Sequence, residues 1–281
     1  MQLKDLQAYE ILEKRPIKDL NSEGIILRHK KSGARIAVIS NDDDNKVFYI
    51  GFRTPPEDST GVAHIIEHTV LCGSDKYPVK DPFVELVKGS LNTFLNAMTY
   101  PEKTIYPIAS CNDKDFQNLM DVYLDGVFHP SIYKEPKIFK QEGWHYELPS
   151  EDEPLTVNGV VYNEMKGAFS SPESVLERFT SSVLFPDTPY NNESGGDPAV
   201  IPNLSYEQFI QFHKDYYHPA NSYIYLYGDM DMEEKLLWLD KEYLSAYDKN
   251  DYNLDSSIAL QKPFSEPVEK ETVYSVTANE G

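Results

Sequence analysis

Cysteines, basic residues and long apolar runs are all scarce in this sequence. Two cysteines among 281 residues cannot make a disulfide framework, which is typical of a reducing compartment. Lysine and arginine number 26 against 46 acidic residues, so the net charge is −20 and the basic face of a nucleic-acid-binding protein is not expected. No run approaches the ~18 apolar residues of a membrane helix, and residues 1–15 lack the apolar core of a signal peptide. These absences predict a cytoplasmic protein that binds neither nucleic acid nor membrane.

The first third of the chain is typical of short β-strands. Runs rich in isoleucine, valine and phenylalanine occupy 24–30, 34–40 and 46–52, and turn-forming residues separate them. Such short connections favour antiparallel pairing of each strand with the next. A further strand is predicted over Lys103–Ser110, and Pro107 indicates an edge position for it because proline donates no backbone hydrogen bond.

Helical patterns occupy much of the remaining chain. Asn112 is a predicted helix cap, and a 3.6-residue apolar stripe follows it at Phe116, Leu119, Met120, Tyr123, Leu124 and Val127. Caps, breakers and apolar periodicity predict further helices at 62–73, from Asp81, at 160–169, at 172–184, from a Ser205–Gln208 capping box and at 232–247. Together the patterns predict an α+β fold, a largely antiparallel sheet flanked by helices.

The segment from His64 to His68 carries the most specific chemistry. Two histidines four residues apart share one face of a helix. Imidazole nitrogen is a preferred zinc ligand, and a catalytic zinc site adds a third protein ligand and a water. Glu67 can point at that water without occupying the metal, so it can take a proton and pass it to a leaving amine. Because His-x-x-Glu-His is an inverted zinc-peptidase motif, the sequence predicts a zinc peptidase that binds one Zn²⁺ and uses Glu67 as its base.

Spacing alone does not select the third metal ligand. Glu164 follows an apolar run and lies at a predicted helix start. Cys72 is a rival, one turn beyond His68, although its thiolate would give a more closed, structural type of site. A small buried residue near a helix end is the ordinary interpretation of such a cysteine. The other histidines have no partner in the sequence and are expected to be structural or solvated: His29, His129, His145, His213 and His218.

Three longer segments resemble one protein family. Residues 61–83, 89–107 and 158–172 are similar in content and order to the pitrilysin-type metallopeptidases, on the presequence-protease and falcilysin branch. The likeness runs from about Leu20 to about Tyr247, nearly the whole chain. It implies an endopeptidase that hydrolyses varied unfolded peptides inside a chamber formed by two halves.

The resemblance also implies roles for individual residues. The metal ligands would be His64, His68 and Glu164, and the general base would be Glu67. A further segment would be the edge strand to which a substrate peptide adds as an extra strand: Leu95, Asn96, Ala97, Met98 and Thr99. Backbone hydrogen bonds would then supply much of the affinity. Without the resemblance, an ordinary buried strand would be the preferred interpretation.

The chain departs from the family in extent. A change of composition after Asp248 predicts a zinc metallopeptidase catalytic domain at 1–248, and a linker with the first strand of a following, truncated domain at 249–281. We therefore expect a fragment or one piece of a split enzyme, whose full activity needs a C-terminal half in cis or in trans. Val157 also stands where some relatives carry a further glutamate. The alternative function is a non-catalytic scaffold or assembly subunit of the same fold, although an intact base argues against it.

Overall fold

The computed structural model describes residues 6–80 and 82–274, which form ten strands and eight helices. The strands are β1 Tyr9–Ile17, β2 Ser22–His29, β3 Arg35–Ser40, β4 Lys46–Arg53, β5 Asn92–Leu95, β6 Met98–Thr99, β7 Lys103–Ser110, β8 His145–Glu147, β9 Thr156–Asn158 and β10 Ser222–Gly228. The helices are α1 Val62–Val70, α2 Pro82–Gly89, α3 Asp113–Phe128, α4 Lys137–Glu142, α5 Val160–Ala168, α6 Pro172–Leu184, α7 Tyr206–Tyr216 and α8 Met232–Glu242. The predicted α+β fold is confirmed.

One large sheet contains all the strands except β8 and β9, which pair with each other. Its order is β1-β2-β3-β10-β4-β7-β5, with β6 also beside β7, and among the strands that the structure describes only β10 and β3 pair in parallel. The expected pairing of each strand with the next is right for β2 and β3 but wrong for β3 and β4, because β10 lies between them. A short turn reverses the chain, but it leaves room for a later strand whose alternate side chains, Ile224 and Leu226, fill the core.

β7 is an inner strand, so the edge position predicted from Pro107 is wrong. Tyr49 of β4 lies opposite Pro107, and β5 and β6 pair with the other side of β7. The carbonyl of Pro107 accepts the N–H of Asn96 at 3.2 Å. Because the N–H and C=O of a strand residue point to the same neighbour, the absent N–H falls at the interruption between β5 and β6. The proline is tolerated inside the sheet because the ladder is already broken there.

One face of the sheet carries the core. Side chains alternate along each strand, and those on the inner face are at most 1% exposed: Ile25, Leu27, Ile36, Val38, Phe48, Ile50, Tyr106, Ile108, Ile224 and Leu226. Ile26 and Tyr223, which point the other way, are 38% and 37% exposed. Helix α3 packs on the inner face, and the stripe predicted for it is fully buried. Helix α1 packs on the same face of the sheet.

Helices α3 and α7 begin at the predicted caps, whereas α1 ends at Val70, three residues before the predicted end at 73. The Asn112 side chain accepts the N–H groups of Lys114 and Asp115, and Ser205 and Gln208 form the expected capping box. Helix α8 ends at Glu242, earlier than the predicted 247, and a short 3₁₀ turn follows it. The predicted cap at 81 lies outside the described residues.

The C-terminal stretch contains neither helix nor strand over the described residues 252–274. The strand predicted for a following domain is therefore absent over 269–274, and its remainder lies outside the described residues. The division of the chain after Asp248 stays a prediction. Across the described residues, no helix combines the length and apolarity that a membrane crossing requires.

His213 makes stability depend on pH. The ring is 4% exposed, Nε2 donates to the Val127 carbonyl at 2.9 Å, and Nδ1 accepts from the Tyr133 hydroxyl at 2.7 Å. Burial lowers the pKa of His213 to about 4. Between about pH 4 and 6.5 the unfolded chain binds the extra proton, so stability is complete above 6.5 and falls by about 1.4 kcal/mol per pH unit below it.

We therefore expect His213→Gln to flatten the decrease in unfolding free energy between about pH 7 and pH 5. Urea denaturation at both values, for the variant and the wild type, measures this change. The half-buried His145 is the control, and His145→Gln should keep the wild-type dependence. An unchanged slope in the His213 variant would contradict the assignment.

Candidate metal centre

Almost every residue of helix α1 is buried in the core. Ile65 is fully buried, and His64 and Glu67 are each only 8% exposed. Gly61 precedes the helix with φ of +69°, in the left-handed region that favours glycine. A Cβ at Gly61 would lie 2.7 Å from the carbonyl oxygen of Gly195, so a larger residue at position 61 would displace the loop that contains Gly195. The helix therefore presents its polar side chains in one orientation.

His64, His68 and Glu164 bring their ligand atoms together. All of these atoms lie within 4.8 Å of one another, and Nε2 of each histidine is 3.6 Å from Oε2 of Glu164. That separation is too long for a hydrogen bond. It matches the roughly 3.4 Å between ligand atoms expected around a tetrahedral zinc with bonds of about 2.0–2.1 Å. Two imidazoles and a carboxylate are also a donor set of catalytic zinc sites, so the residues present fit this ion.

Second contacts orient both histidines. Nδ1 of His64 donates to the carbonyl of Gly195 at 2.9 Å, and Nδ1 of His68 donates to Oε2 of Glu142 at 3.3 Å. With the proton on Nδ1, the Nε2 lone pair of each ring is directed toward Glu164. Such contacts set the tautomer and raise the basicity of a metal-binding histidine.

Glu142 is a buried carboxylate whose charge is balanced by His68. Burial raises the pKa of Glu142, but hydrogen bonds from His68 and Gln141 outweigh it and hold that pKa below its usual range. Burial likewise lowers the pKa of His68, and the Glu142 hydrogen bond together with the charges of Glu67, Glu142 and Glu164 raises it above the ordinary value. The two groups therefore form a charge-assisted pair beside the ligand atoms.

Removing this partner should weaken metal binding. We expect Glu142→Ala to lower zinc affinity by about 10–100-fold, the usual effect of losing such a contact. Glu142→Gln should lose less, because its amide oxygen still accepts from Nδ1. Competition with a chromophoric chelator measures the affinity. The exposed Glu135 precedes α4, and Glu135→Ala should leave affinity unchanged; equal losses in both alanine variants would contradict the role of Glu142.

Glu67 is joined to the predicted substrate strand. The Thr99 hydroxyl donates to Oε2 of Glu67 at 2.6 Å. Leu95 ends β5 and Met98–Thr99 is β6, and both strands pair only with β7 among the described residues. The predicted segment therefore lies at the edge of the sheet, with Asn96 and Ala97 between the two strands. A peptide added at this edge would run past the carboxylate of Glu67.

The structure does not bring Cys72 into the ligand group. Its Sγ instead contacts the His68 carbonyl at 3.4 Å. The other five histidines belong to no group of three metal-binding side chains in the described part of the chain. The sequence gives no sign of Glu142 or Gly195, since each reaches the site from a distant element with no recognisable spacing. Thr99 is in the predicted substrate segment, but its contact with Glu67 was not expected.

Comparison with known proteins identifies the family of this chain. Residues 47–149 match the family described as Insulinase (Peptidase family M16), and residues 203–280 match the Peptidase M16 inactive domain. The chain is 54% identical over 273 residues to Protein HypA of Clostridium perfringens, covering 97% of this chain and 28% of that protein. It is 52% identical over 261 residues to Presequence protease 1, chloroplastic/mitochondrial, of Arabidopsis thaliana, covering 93% and 24%.

The fold has a counterpart among solved structures. A crystal structure of pitrilysin superposes with a TM-score of 0.67 at 18% identity, covering 88% of this chain and 25% of that one. The chain thus spans about a quarter of the length of the relatives that it matches. It belongs to the pitrilysin-type peptidases of family M16, with presequence proteases among its relatives.

Proposed function

We propose that this chain carries the catalytic site of a zinc-dependent endopeptidase that hydrolyses unfolded peptides. The observation that carries the proposal is the convergence of His64, His68 and Glu164 beside a buried Glu67. The three ligands would hold one Zn²⁺, and they leave a position open for water and substrate, as catalytic rather than structural sites do.

The chemistry divides between the ion and the chain. Bound zinc supplies Lewis acidity, which lowers the pKa of water at the site toward about 7. Glu67 takes the proton from the attacking water and returns it to the leaving amine. Thr99 holds Oε2 of Glu67 at 2.6 Å, so the carboxylate keeps one orientation during both transfers. The Nδ1 contacts to Gly195 and Glu142 keep the two imidazoles oriented.

The edge segment of Leu95 to Thr99 suits a peptide of variable sequence. An added strand is bound through backbone groups, which every peptide offers, and side chains are recognised only at alternate positions. The substrate must be extended to bind in this way, so folded proteins would be poor substrates. Because Thr99 belongs to this segment and contacts Glu67, an added strand would be placed beside the base.

Two further features are part of the proposal. The relatives named presequence protease are about four times as long as the part that this chain covers, so full activity would need a C-terminal half in cis or in trans. We also propose a cytoplasmic location, which depends on the absence of a targeting pattern in the sequence.

The leading alternative is a non-catalytic scaffold of the same fold, and one experiment separates the two. Zinc content of the purified chain is measured by atomic absorption, and cleavage of a quenched extended peptide is followed with and without the C-terminal half. About one zinc per chain together with cleavage is expected of the enzyme. Zinc without cleavage, even with that half present, would favour the scaffold. Absence of bound zinc would contradict the proposed metal site.

A further inference from the structure

The loop at 185–205, between α6 and α7, supplies the carbonyl that orients His64. Gly195 carries this carbonyl and is pressed between two helices. A Cβ on Gly195 would lie 2.9 Å from Cε of Met165 in α5, and a Cβ on Gly61 in the α1 cap would lie 2.7 Å from the Gly195 carbonyl oxygen. Glycine has wide backbone freedom, so the direction of its carbonyl depends on the contacts that hold it.

Glu193 holds Gly195 directly. Its Oε1 accepts the N–H of Gly195 at 3.0 Å, and its own N–H donates to the Ser59 hydroxyl at 3.1 Å. Its Oε2 accepts from Nε of Arg178 in α6 at 2.5 Å, and each of these two side chains is 24% exposed. The carboxylate thus uses one oxygen for the loop and the other for a helix.

Arg178 fixes the far end of this chain of contacts. Its guanidinium carbon lies 3.9 Å from the ring centroid of Phe169, which directly follows α5, the helix of Glu164. The described residues of α6 include none that is buried, so the helix is not anchored by core packing. The ion pair with Glu193 ties α6 to the loop.

We infer that Glu193, supported by Arg178, is a positioning residue for His64, an inference that rests on the proposed zinc site. The contacts run without a gap from Arg178 to Glu193, then through Gly195 to Nδ1 of His64. Loss of Glu193 frees the Gly195 backbone, and His64 loses the acceptor that keeps its proton on Nδ1. His68 has a separate partner in Glu142 and is not affected.

Two measurements test the inference. The tautomer of each histidine is determined by long-range ¹H–¹⁵N NMR on metal-free protein labelled with ¹⁵N-histidine, and zinc affinity is measured by chelator competition. Glu193→Ala should move the His64 proton away from a pure Nδ1–H form, leave His68 unchanged and weaken zinc binding by about tenfold or more. Glu193→Gln should lie closer to wild type, because an amide oxygen still accepts from Gly195.

The control is Glu177→Gln, one residue from Arg178 on α6, which removes an exposed acid and leaves the Arg178–Glu193 ion pair in place. It should change neither measurement. If Glu193→Ala does not fold, Arg178→Met carries the test, because it leaves Glu193 in place and removes only its support. A wild-type His64 tautomer in folded variants would overturn the inference, as would an equal change in His68. Failure of the wild type to bind zinc would contradict the proposed function, whereas the tautomer in metal-free protein would still decide this inference.

Discussion

Replacing Glu67 by glutamine is expected to reduce peptide cleavage by about 10²–10⁴-fold, the usual contribution of a positioned general base. Glutamine keeps the size of the side chain and can keep the hydrogen bond with Thr99, but it cannot take a proton. The carboxylate is not among the three grouped ligands, so bound zinc should remain at the wild-type level. Initial rates on a quenched peptide and zinc content by atomic absorption measure the two quantities.

The same change at an exposed position supplies the control. Glu207→Gln in the first turn of α7 should keep both cleavage and zinc. Rates are compared with the C-terminal half present in trans, so that an incomplete site does not hide the effect. Cleavage by the Glu67 variant at the wild-type rate would refute its role as base, and loss of zinc would instead identify it as a ligand.

Removing a ligand is expected to have the other large effect. A structural zinc with its full ligand set is bound with about 10–16 kcal/mol, so each ligand contributes about 3 kcal/mol, or more than a hundredfold in affinity. We expect His68→Ala and Glu164→Gln each to weaken zinc binding by at least about this factor. The half-exposed Glu164 should behave like the less exposed His68, because its Oε2 is 3.6 Å from both imidazoles.

Cys72 provides the discriminating variant. It competes with Glu164 on sequence grounds, but its sulfur contacts a backbone carbonyl instead of the ligand group. Cys72→Ala should therefore retain wild-type zinc affinity in the same chelator competition. If it lost zinc while Glu164→Gln retained it, the assignment of the third ligand would be reversed.

The parts of the site that lie on one helix were predictable from the sequence. A four-residue spacing places His64 and His68 on one face and Glu67 beside them, because helical geometry is local. Glu164 was selected only by family resemblance, since bringing α5 to α1 is a matter of tertiary packing. Neither Glu142 nor the contact of Thr99 with Glu67 could be predicted, because these hydrogen bonds join residues 74 and 32 positions apart.

For the fold, too, local features were predictable and long-range contacts were not. The buried stripe of α3 and the cap at Asn112 followed from periodicity and capping, both of which act within a few residues. Strand adjacency depends on which side chains fill the core together, and this is why β10 was not placed between β3 and β4. Pro107 shows the same limit, since its tolerance in β7 depends on the break between β5 and β6.

The central position of β10 has a consequence for the order in which the molecule folds. β3 and β4 are synthesised early, yet the strand that joins them ends at Gly228. Until that strand is available, two apolar edges are open to wrong pairing, and closing so long a connection is slow. Helix α1 rests on this sheet, so we expect the proposed metal centre to form late in a newly made chain, after β10 has joined.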